Sequence, residues 1–396
     1  MKFFDYLKGD KILWTVILFL SIISLLAVYS ATGTIATHVK SGSYTFKFIL
    51  KHTGILLLGW GIMYGTHLID YRYYSRIAQI LFFISIPLLI YAMFGGSQIN
   101  GAGRWIPIPI INLTFQPSDL AKLGIVMYLA RVLSKKQDQI KSFKDAFVPL
   151  LLPILVITVL IVPENLSTAM ILFMTCLILL FIGRVNMWHL GALIGSSLII
   201  FSLFVALLFI MPEDKMMGRM LTWKNRMKSY VMDDKQEVQY QVKQANIAIA
   251  KGWPLGVGPG NSVQRNYLPE PYSDFIFAII IEEYGILGGV VIMILYLIFL
   301  YRCIRIVLTS SKAFGAFLAV GLGLSLTLQA LINMGVAVHL LPVTGVTLPF
   351  VSMGGSSIWF NSVAFGIILS VSRYIEEAKS EEINDPFLPD VIETAA

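Results

Sequence analysis

The chain has 396 residues, 57% of them hydrophobic and only 13% charged, with a mean hydropathy of +0.76 and a formal net charge of +7 at pH 7. A water-soluble domain has nowhere to hide that apolar share, so the composition excludes a soluble globular protein. The excess Lys and Arg sit mainly in short segments between apolar stretches, which argues against a nucleic-acid surface and reads as a topology signal.

Apolar stretches of about twenty residues recur, enough to cross a hydrocarbon core of about 30 Å. The alternating ten-residue strands of a membrane barrel are absent. Ten spans are predicted, at 12–31, 48–67, 77–94, 117–133, 147–163, 166–183, 187–210, 275–301, 313–334 and 347–373. The expected fold class is all-α: a polytopic membrane protein of about ten transmembrane helices with one large extracytoplasmic loop, 211–274. The first span, Ile12 to Ala31, is followed by no clear cleavage pattern and reads as retained. Only Pro163-Glu164-Asn165 separates the fifth span from the sixth, so the two are either separate spans or a broken pair that never fully leaves the membrane.

Orientation follows from charge. With the N-terminus in the cytoplasm, the short cytoplasmic segments hold sixteen Lys and Arg, among them Lys8, Arg72, Arg131, Arg302 and Lys379. The short outer segments hold four: Lys40, Lys47, Lys51 and Arg104. Both termini are therefore expected in the cytoplasm and loop 211–274 outside. Residues 1–375 read as the transmembrane domain with its loop, and 376–396 as an acidic, disordered cytoplasmic tail. Within the loop, Met216 to Tyr230 reads as a helix on the outer membrane surface. From Gln236 to Lys251, Val238, Val242, Ala245 and Ile249 recur at helical spacing and predict a face against the bundle. Gly252, Gly256, Gly258 and Gly260 then mark tight turns, without the strand or the Gly-Lys-Ser/Thr ending of a nucleotide loop. The two cysteines, Cys176 and Cys303, and the five scattered histidines suggest neither a disulfide nor a metal site.

Three polar clusters interrupt the apolar pattern. In the first, Ser273 is placed to cap a helix beginning at Asp274. The helix dipole there favours a charged carboxylate and burial at the membrane edge disfavours it. An acid at a helix start is also commonplace. Glu282 and Glu283 lie about two turns further in, where polar groups are expensive and usually face a cavity. On one straight helix Glu282 falls about 80° from Asp274 and roughly 12 Å deeper, too far for a carboxylate pair. Glu282 reads as a cavity wall or a cation partner, and Glu283 as the partner of a basic or amide group from another span.

The second cluster contains Arg104-Trp105 and then Gln116-Pro117-Ser118-Asp119 with Lys122. Pro117 suits a first helical turn. Asp119 and Lys122 share a face and would neutralise each other, or else Lys122 and Arg104 hold phosphate oxygens at the outer mouth. The third cluster runs from Asn333 through Leu341-Pro342-Val343-Thr344-Gly345 to Gly354-Gly355-Ser356-Ser357. Its Gly, Pro and hydroxyl residues predict a re-entrant or unwound piece lining a cavity, where Ser356 and Ser357 are candidates to meet an anion. Close helix packing explains the same residues nearly as well.

These clusters carry a resemblance. Gly258-Pro259-Gly260-Asn261-Ser262-Val263-Gln264, Leu268-Pro269-Glu270, Asp274-Phe275 with Glu282-Glu283, and Leu341-Pro342-Val343-Thr344-Gly345 resemble the SEDS family of bacterial cell-wall proteins (shape, elongation, division and sporulation). The likeness covers nearly the whole chain, and the wording Asn261-Ser262-Val263-Gln264 leans toward the division branch over the elongation branch. The resemblance implies a peptidoglycan glycosyltransferase of the cytoplasmic (inner) membrane at the division septum. It would polymerise lipid II beside a class B penicillin-binding protein and other division-complex membrane proteins. It also implies that Asp274 is the essential acid, with Arg104, Trp105 and Lys122 at the family's motif positions. Three positions depart from the family wording: Pro163-Glu164-Asn165-Leu166-Ser167-Thr168, Ile281 before Glu282-Glu283, and Met353 before Gly354.

The chemistry implied needs a base for the acceptor hydroxyl, assigned to Asp274, and positive groups for the departing diphosphate, assigned to Arg104 and Lys122. A divalent cation, Mg2+ or Mn2+, could assist, and no nucleotide is needed because the diphosphate linkage stores the energy. Gln116, Ser118, Ser356, Ser357, Glu282 and Glu283 are the further candidates for the substrate cavity. Two rival readings use the same polar residues differently. A lipid II flippase should show inverted repeats, and a scaffold would need no acid at Asp274.

Overall fold

The computed structural model describes residues 8–33, 43–99, 102–108, 113–212, 216, 219–232 and 237–383. Seven apolar helices come first: α1 Lys11–Thr32, α2 Ser43–Leu68, α3 Tyr74–Gly95, α4 Pro117–Lys135, α5 Val148–Ile161, α6 Leu166–Ile182 and α7 Met187–Ile210. The long loop supplies α8 Met220–Met232 and α9 Glu237–Gly252, and the chain then forms α10 Ile276–Thr309, α11 Ala313–Ala337 and α12 Gly355–Ile383. Eight of the described helices are long and apolar enough to cross a membrane. The chain is a polytopic, almost entirely α-helical membrane protein.

The exception to all-α is a small antiparallel sheet between α3 and α4, ordered β1 Ser97–Ile99, β2 Ala102–Ile108 and β3 Leu113–Phe115. Ile99 pairs with Ala102, and Asn100-Gly101 between them lie outside the described residues. Three predicted boundaries also move. The tenth span starts at Gly355 rather than 347, because Pro342, Gly345 and Pro349 keep the chain irregular before it. Asp274 stands outside α10, whose first residue is Ile276 and whose N-cap, Phe275, has no side-chain cap. The tail predicted from 376 is helical as far as Ile383, and residues 384–396 lie outside the described residues.

α11 is the interior helix: 78% of its best apolar window is buried, against 11% for α7, which faces outward. Small residues make this possible, since Gly315, Ala316, Ala319, Gly321 and Gly323 let neighbours approach. α12 packs along α2, where Gly366 lies against the Met63 carbonyl and Thr66. At one end of the bundle Asp10 caps α1 through the Ile12 and Leu13 amides and accepts from Arg302 Nε at 2.6 Å. The Asp10 and Gly9 amides donate to Ser372 and Glu376 of α12, and Lys8 pairs with Glu377. The start of α1, the end of α10 and the end of α12 therefore meet. The opposite end carries α9, residues 252–275 and residues 338–354.

α10 is interrupted at Gly285 (φ 69, ψ −170). A break inside a membrane helix frees carbonyls that must find donors. Here the long loop supplies them: Val257 N–H donates to the Glu282 carbonyl at 2.9 Å and Gly258 N–H to the Glu283 carbonyl at 3.0 Å. In return Ile286 N–H donates to the Pro254 carbonyl at 3.2 Å. The approach is so close that a Cβ on Gly285 would stand 2.7 Å from the Leu255 carbonyl carbon. α9 docks alongside, its Ala245 and Ala248 buried against Phe275, Ala278 and Ile279.

Gly285→Ala combines positive-φ strain with overpacking and should cost about 3 kcal/mol or more. The thermal midpoint of the detergent-purified variant should fall clearly. Gly54→Ala, where a Cβ meets nothing within 4 Å, should leave it unchanged or raise it. Equal midpoints for the two variants would show that the loop is not docked on the break in this way.

Candidate active site

Residues 267–275 connect a short 3-10 turn, Gln264–Asn266, to α10 without regular structure, so their carbonyls need outside donors. Three consecutive carbonyls receive them. Met353 N–H donates to Tyr272 at 2.9 Å, Ser352 Oγ to Ser273 at 2.6 Å and Asn333 Nδ2 to Asp274 at 2.9 Å. Ser273 does not cap the helix; its hydroxyl donates to Asp274 Oδ1 at 3.1 Å. Asp274 is half-buried, and a Cβ on Gly345 (φ 66) would lie 3.5 Å from Asp274 Oδ2. Burial, and after it the Glu270 carboxylate, push the Tyr272 phenol above its ordinary value, so Tyr272 stays protonated beside the acid.

The irregular segment 338–354 is the hub. Asn333 of α11 also donates to the Val346 carbonyl at 2.7 Å. One turn earlier, Gln329 donates to the Thr347 carbonyl at 3.0 Å while accepting from Lys122 Nζ at 3.1 Å. Lys122 also pairs with Asp119 at 2.9 Å, both side chains largely buried. The structure thus brings Asp274 and Lys122 onto one segment from different sides, with two amides of α11 between them. Arg226 of α8 donates to the Val343 carbonyl at 3.2 Å, so the long loop touches the same segment. Beside Lys122 a cavity of about 20 Å³ reaches Ser325 and Asn361, room for about one water.

The other candidates divide into two groups. Gln116, Ser118 and Ser356 come together: Gln116 Nε2 donates to Ser118 at 2.8 Å, and the Gln116 amide to Ser356 at 3.3 Å. Ser357 turns back to the Gly354 carbonyl at 2.9 Å. Glu282 and Glu283 face elsewhere, at 0% and 2% exposure. Glu282 accepts from the Ser262 hydroxyl and from the amides of Val263 at 3.1 Å and Gln264 at 3.2 Å. Glu283 accepts from the Ser30 hydroxyl of α1 and the Ser262 amide at 3.3 Å. Hydroxyls and backbone N–H groups thus surround both acids: Glu282 meets no cation in these bonds, and Glu283 meets an amide from the loop and a hydroxyl from another span. The straight-helix geometry relating Glu282 to Asp274 does not apply, since Asp274 is not on the helix. β2 carries the Arg104 backbone, and its side chain lies outside the described residues.

Gln329, Asn333, Ser352 and Arg226 hold the site; the sequence places Asn333 and Ser352 in the third polar cluster without a role, and does not point to Gln329 or Arg226. The available signal was two amides four residues apart in an otherwise apolar helix, a spacing that puts both on one face.

A family model of cell cycle proteins, named for FtsW, RodA and SpoVE, matches residues 10–377. The chain belongs to the SEDS family. It is 34% identical to stage V sporulation protein E of Bacillus subtilis over 371 residues, covering 92% of this chain and 97% of that protein. It is 32% identical over 373 residues to a probable peptidoglycan glycosyltransferase FtsW of Coxiella burnetii, covering 92% and 96%. The crystal structure of the Thermus thermophilus rod shape determining protein RodA superposes with a TM-score of 0.66 at 24% identity, covering 93% of this chain and 98% of that one, which establishes a shared fold. In this SEDS protein the departure at 163–168 has a structural role: Asn165 caps α6 by accepting from Thr168 N–H at 3.2 Å. The neighbouring Glu164 carbonyl accepts from Arg219.

Proposed function

We propose that this SEDS protein is a peptidoglycan glycosyltransferase that polymerises lipid II at the division septum, beside a class B penicillin-binding protein that crosslinks the peptides. Family membership and the relatives named as such enzymes support the activity. The observation that carries the residue assignment is the Asp274 backbone, held through three neighbouring carbonyls in a residue that is itself half-buried. Asp274 takes the proton of the acceptor hydroxyl as that oxygen attacks the anomeric carbon of the donor. The glycosidic bond to undecaprenyl diphosphate breaks on the opposite face, and inversion of an α-linked donor forms the β(1→4) linkage.

Arg104 and Lys122 stabilise the charge growing on the diphosphate. Asp119 and Gln329 occupy two donors of the Lys122 ammonium, which has three, so one serves a phosphate oxygen. No group of three or more His, Cys, Asp and Glu among the described residues is arranged to hold a metal. A divalent ion of the Mg2+ or Mn2+ kind would supply further positive charge to the departing diphosphate.

Asp274→Asn should abolish glycan chains from purified lipid II, assayed with and without the penicillin-binding partner, while the thermal midpoint and partner co-purification stay normal. A variant polymerising at near the parent rate would reduce Asp274 to a structural residue. Lipid II crossing vesicles without any polymerisation by the parent would favour a flippase.

Lys122→Ala leaves Asp119 buried and unpaired, and Asp119→Ala does the converse, each costing about 3 kcal/mol; removing both should restore most of the stability. Activity should not follow: polymerisation should stay low in Lys122→Ala and in the double variant, and recover more in Asp119→Ala. Recovery of activity in the double variant would sink the diphosphate role.

The charge bias supports cytoplasmic termini and an external site. Asn261→Cys, exposed near the site, should react with an impermeant maleimide on intact cells, and Lys141→Cys only after permeabilisation. Both native cysteines are buried and give little background. The reverse pattern would overturn the orientation.

A further inference from the structure

At the end of the bundle opposite Asp274, a cavity of about 340 Å³ opens between the start of α1 and the ends of α10 and α12. Four cations line it, Lys11, Arg302, Arg305 and Lys379, against two carboxylates, Asp10 and Glu376. The carboxylates are already engaged. Asp10 caps α1 and holds Arg302, whose charge it neutralises, and Glu376 accepts from the Gly9 amide at 2.6 Å. Arg305 and Lys379 make no ion pair among the described residues; Arg305 reaches the Tyr301 hydroxyl at 3.4 Å. Both are exposed, so they remain hydrated and ready to meet an outside anion.

Apart from Gly9, Thr309 and Ser372, the remaining wall is apolar. Ile12, Ile306 and Ile375 line the same cavity, and Ile12 is 44% exposed in the first turn of a membrane helix. Two exposed cations beside apolar side chains, at the level where spanning helices emerge, suit a ligand with an anionic head and an apolar tail. A soluble anion would use the cations alone and leave the isoleucines without a role.

We propose that this cavity seats the phosphate of an anionic membrane phospholipid. Arg305 and Lys379 contact the phosphate oxygens, and the acyl chains run along Ile12 and Ile375. The lipid bridges α1, α10 and α12 at the end far from Asp274. The proposal rests on no assumption about glycosyl transfer, so failure of either reading leaves the other standing.

The test uses the full chain in phosphatidylcholine nanodiscs with or without an equal part of phosphatidylglycerol, reading the thermal midpoint and, by native mass spectrometry, bound phosphatidylglycerol. Phosphatidylglycerol should raise the parent midpoint. Each basic residue facing an anionic lipid contributes about fivefold in binding, so R305Q/K379Q should lose about 30-fold in affinity together with the midpoint rise. R305K/K379R should keep both, as should K141Q/K144Q, an exposed basic pair away from the cavity. If R305Q/K379Q does not fold, Lys379→Gln alone should show the fivefold loss. Full phosphatidylglycerol stabilisation of R305Q/K379Q, or an equal loss in K141Q/K144Q, would overturn the site. Inorganic phosphate or pyrophosphate raising the midpoint in pure phosphatidylcholine as much as phosphatidylglycerol does would overturn the lipid in favour of a soluble anion.

Discussion

Two carboxylates buried in an apolar bundle organise this protein. A buried carboxyl group is tolerated only when hydrogen bonds replace its lost water. Glu282 and Glu283 obtain those bonds from one stretch of the long loop: the hydroxyl and amide of Ser262 and the amides of Val263 and Gln264, with the Ser30 hydroxyl added from α1. The break at Gly285 adds a second set, because the carbonyls of the same two glutamates accept from Val257 and Gly258. Side chain and main chain of Glu282-Glu283 thus pull residues 257–264 onto α10. The chain that leaves this clamp has only a short path back to Ile276, and Asp274 lies on it.

The other half of the site comes from α11. A helix buried on nearly every side has little room for polar groups, and those it carries need partners. Gln329 and Asn333 find them in the carbonyls of Thr347, Val346 and Asp274, which belong to non-helical segments with donors to find. An amide in an apolar wall and an unwound segment beside it therefore solve each other's hydrogen-bonding problem. Three residues with left-handed backbone, Glu270, His339 and Phe350, fall in these two segments. Such conformations persist where the surroundings over-determine them, and here the neighbouring carbonyls of 272–274 are all bonded.

Much of this was legible in the residues. Run length located eight of the ten apolar helices to within about five positions, because the membrane imposes a length and forbids exposed polar backbone. α10 runs on to Thr309 and α12 spans Gly355–Ile383, against predicted spans of 275–301 and 347–373. The periodic Val242, Ala245 and Ile249 located the docked face of α9, and the Gly and Pro residues from 342 to 354 located the unwound segment. The errors also have physical causes. A helix was extended back to Asp274 because an acid at a first turn is the favoured pattern, whereas tertiary donors here stabilise the non-helical carbonyls more. Glu282 reads as a cavity wall or cation partner and Glu283 as the partner of a basic or amide group, whereas the donors to both are hydroxyls and backbone amides. Backbone amides brought from twenty residues away leave no trace in local spacing. The small sheet was missed although Asn100-Gly101 stands between β-prone stretches, since the surrounding apolar helices dominated the reading.

The two ends of the bundle differ in what they leave exposed. Near α1's start, the pairs of Asp10 with Arg302 and Lys8 with Glu377 stand beside bonds to the Gly9, Asp10, Ile12 and Leu13 amides. The neighbouring Arg305 and Lys379 stay exposed there. At the Asp274 end, side chains meet main chain, from Asn333, Ser352 and Arg226 on one side and Glu282 and Glu283 on the other. Bonds to main chain fix the path of the backbone whatever the neighbouring side chains do. The proton transfer proposed for Asp274 needs a fixed origin. The three bonded carbonyls at 272–274 fix the backbone there, and a change from acid to amide at Asp274 leaves those main-chain contacts in place.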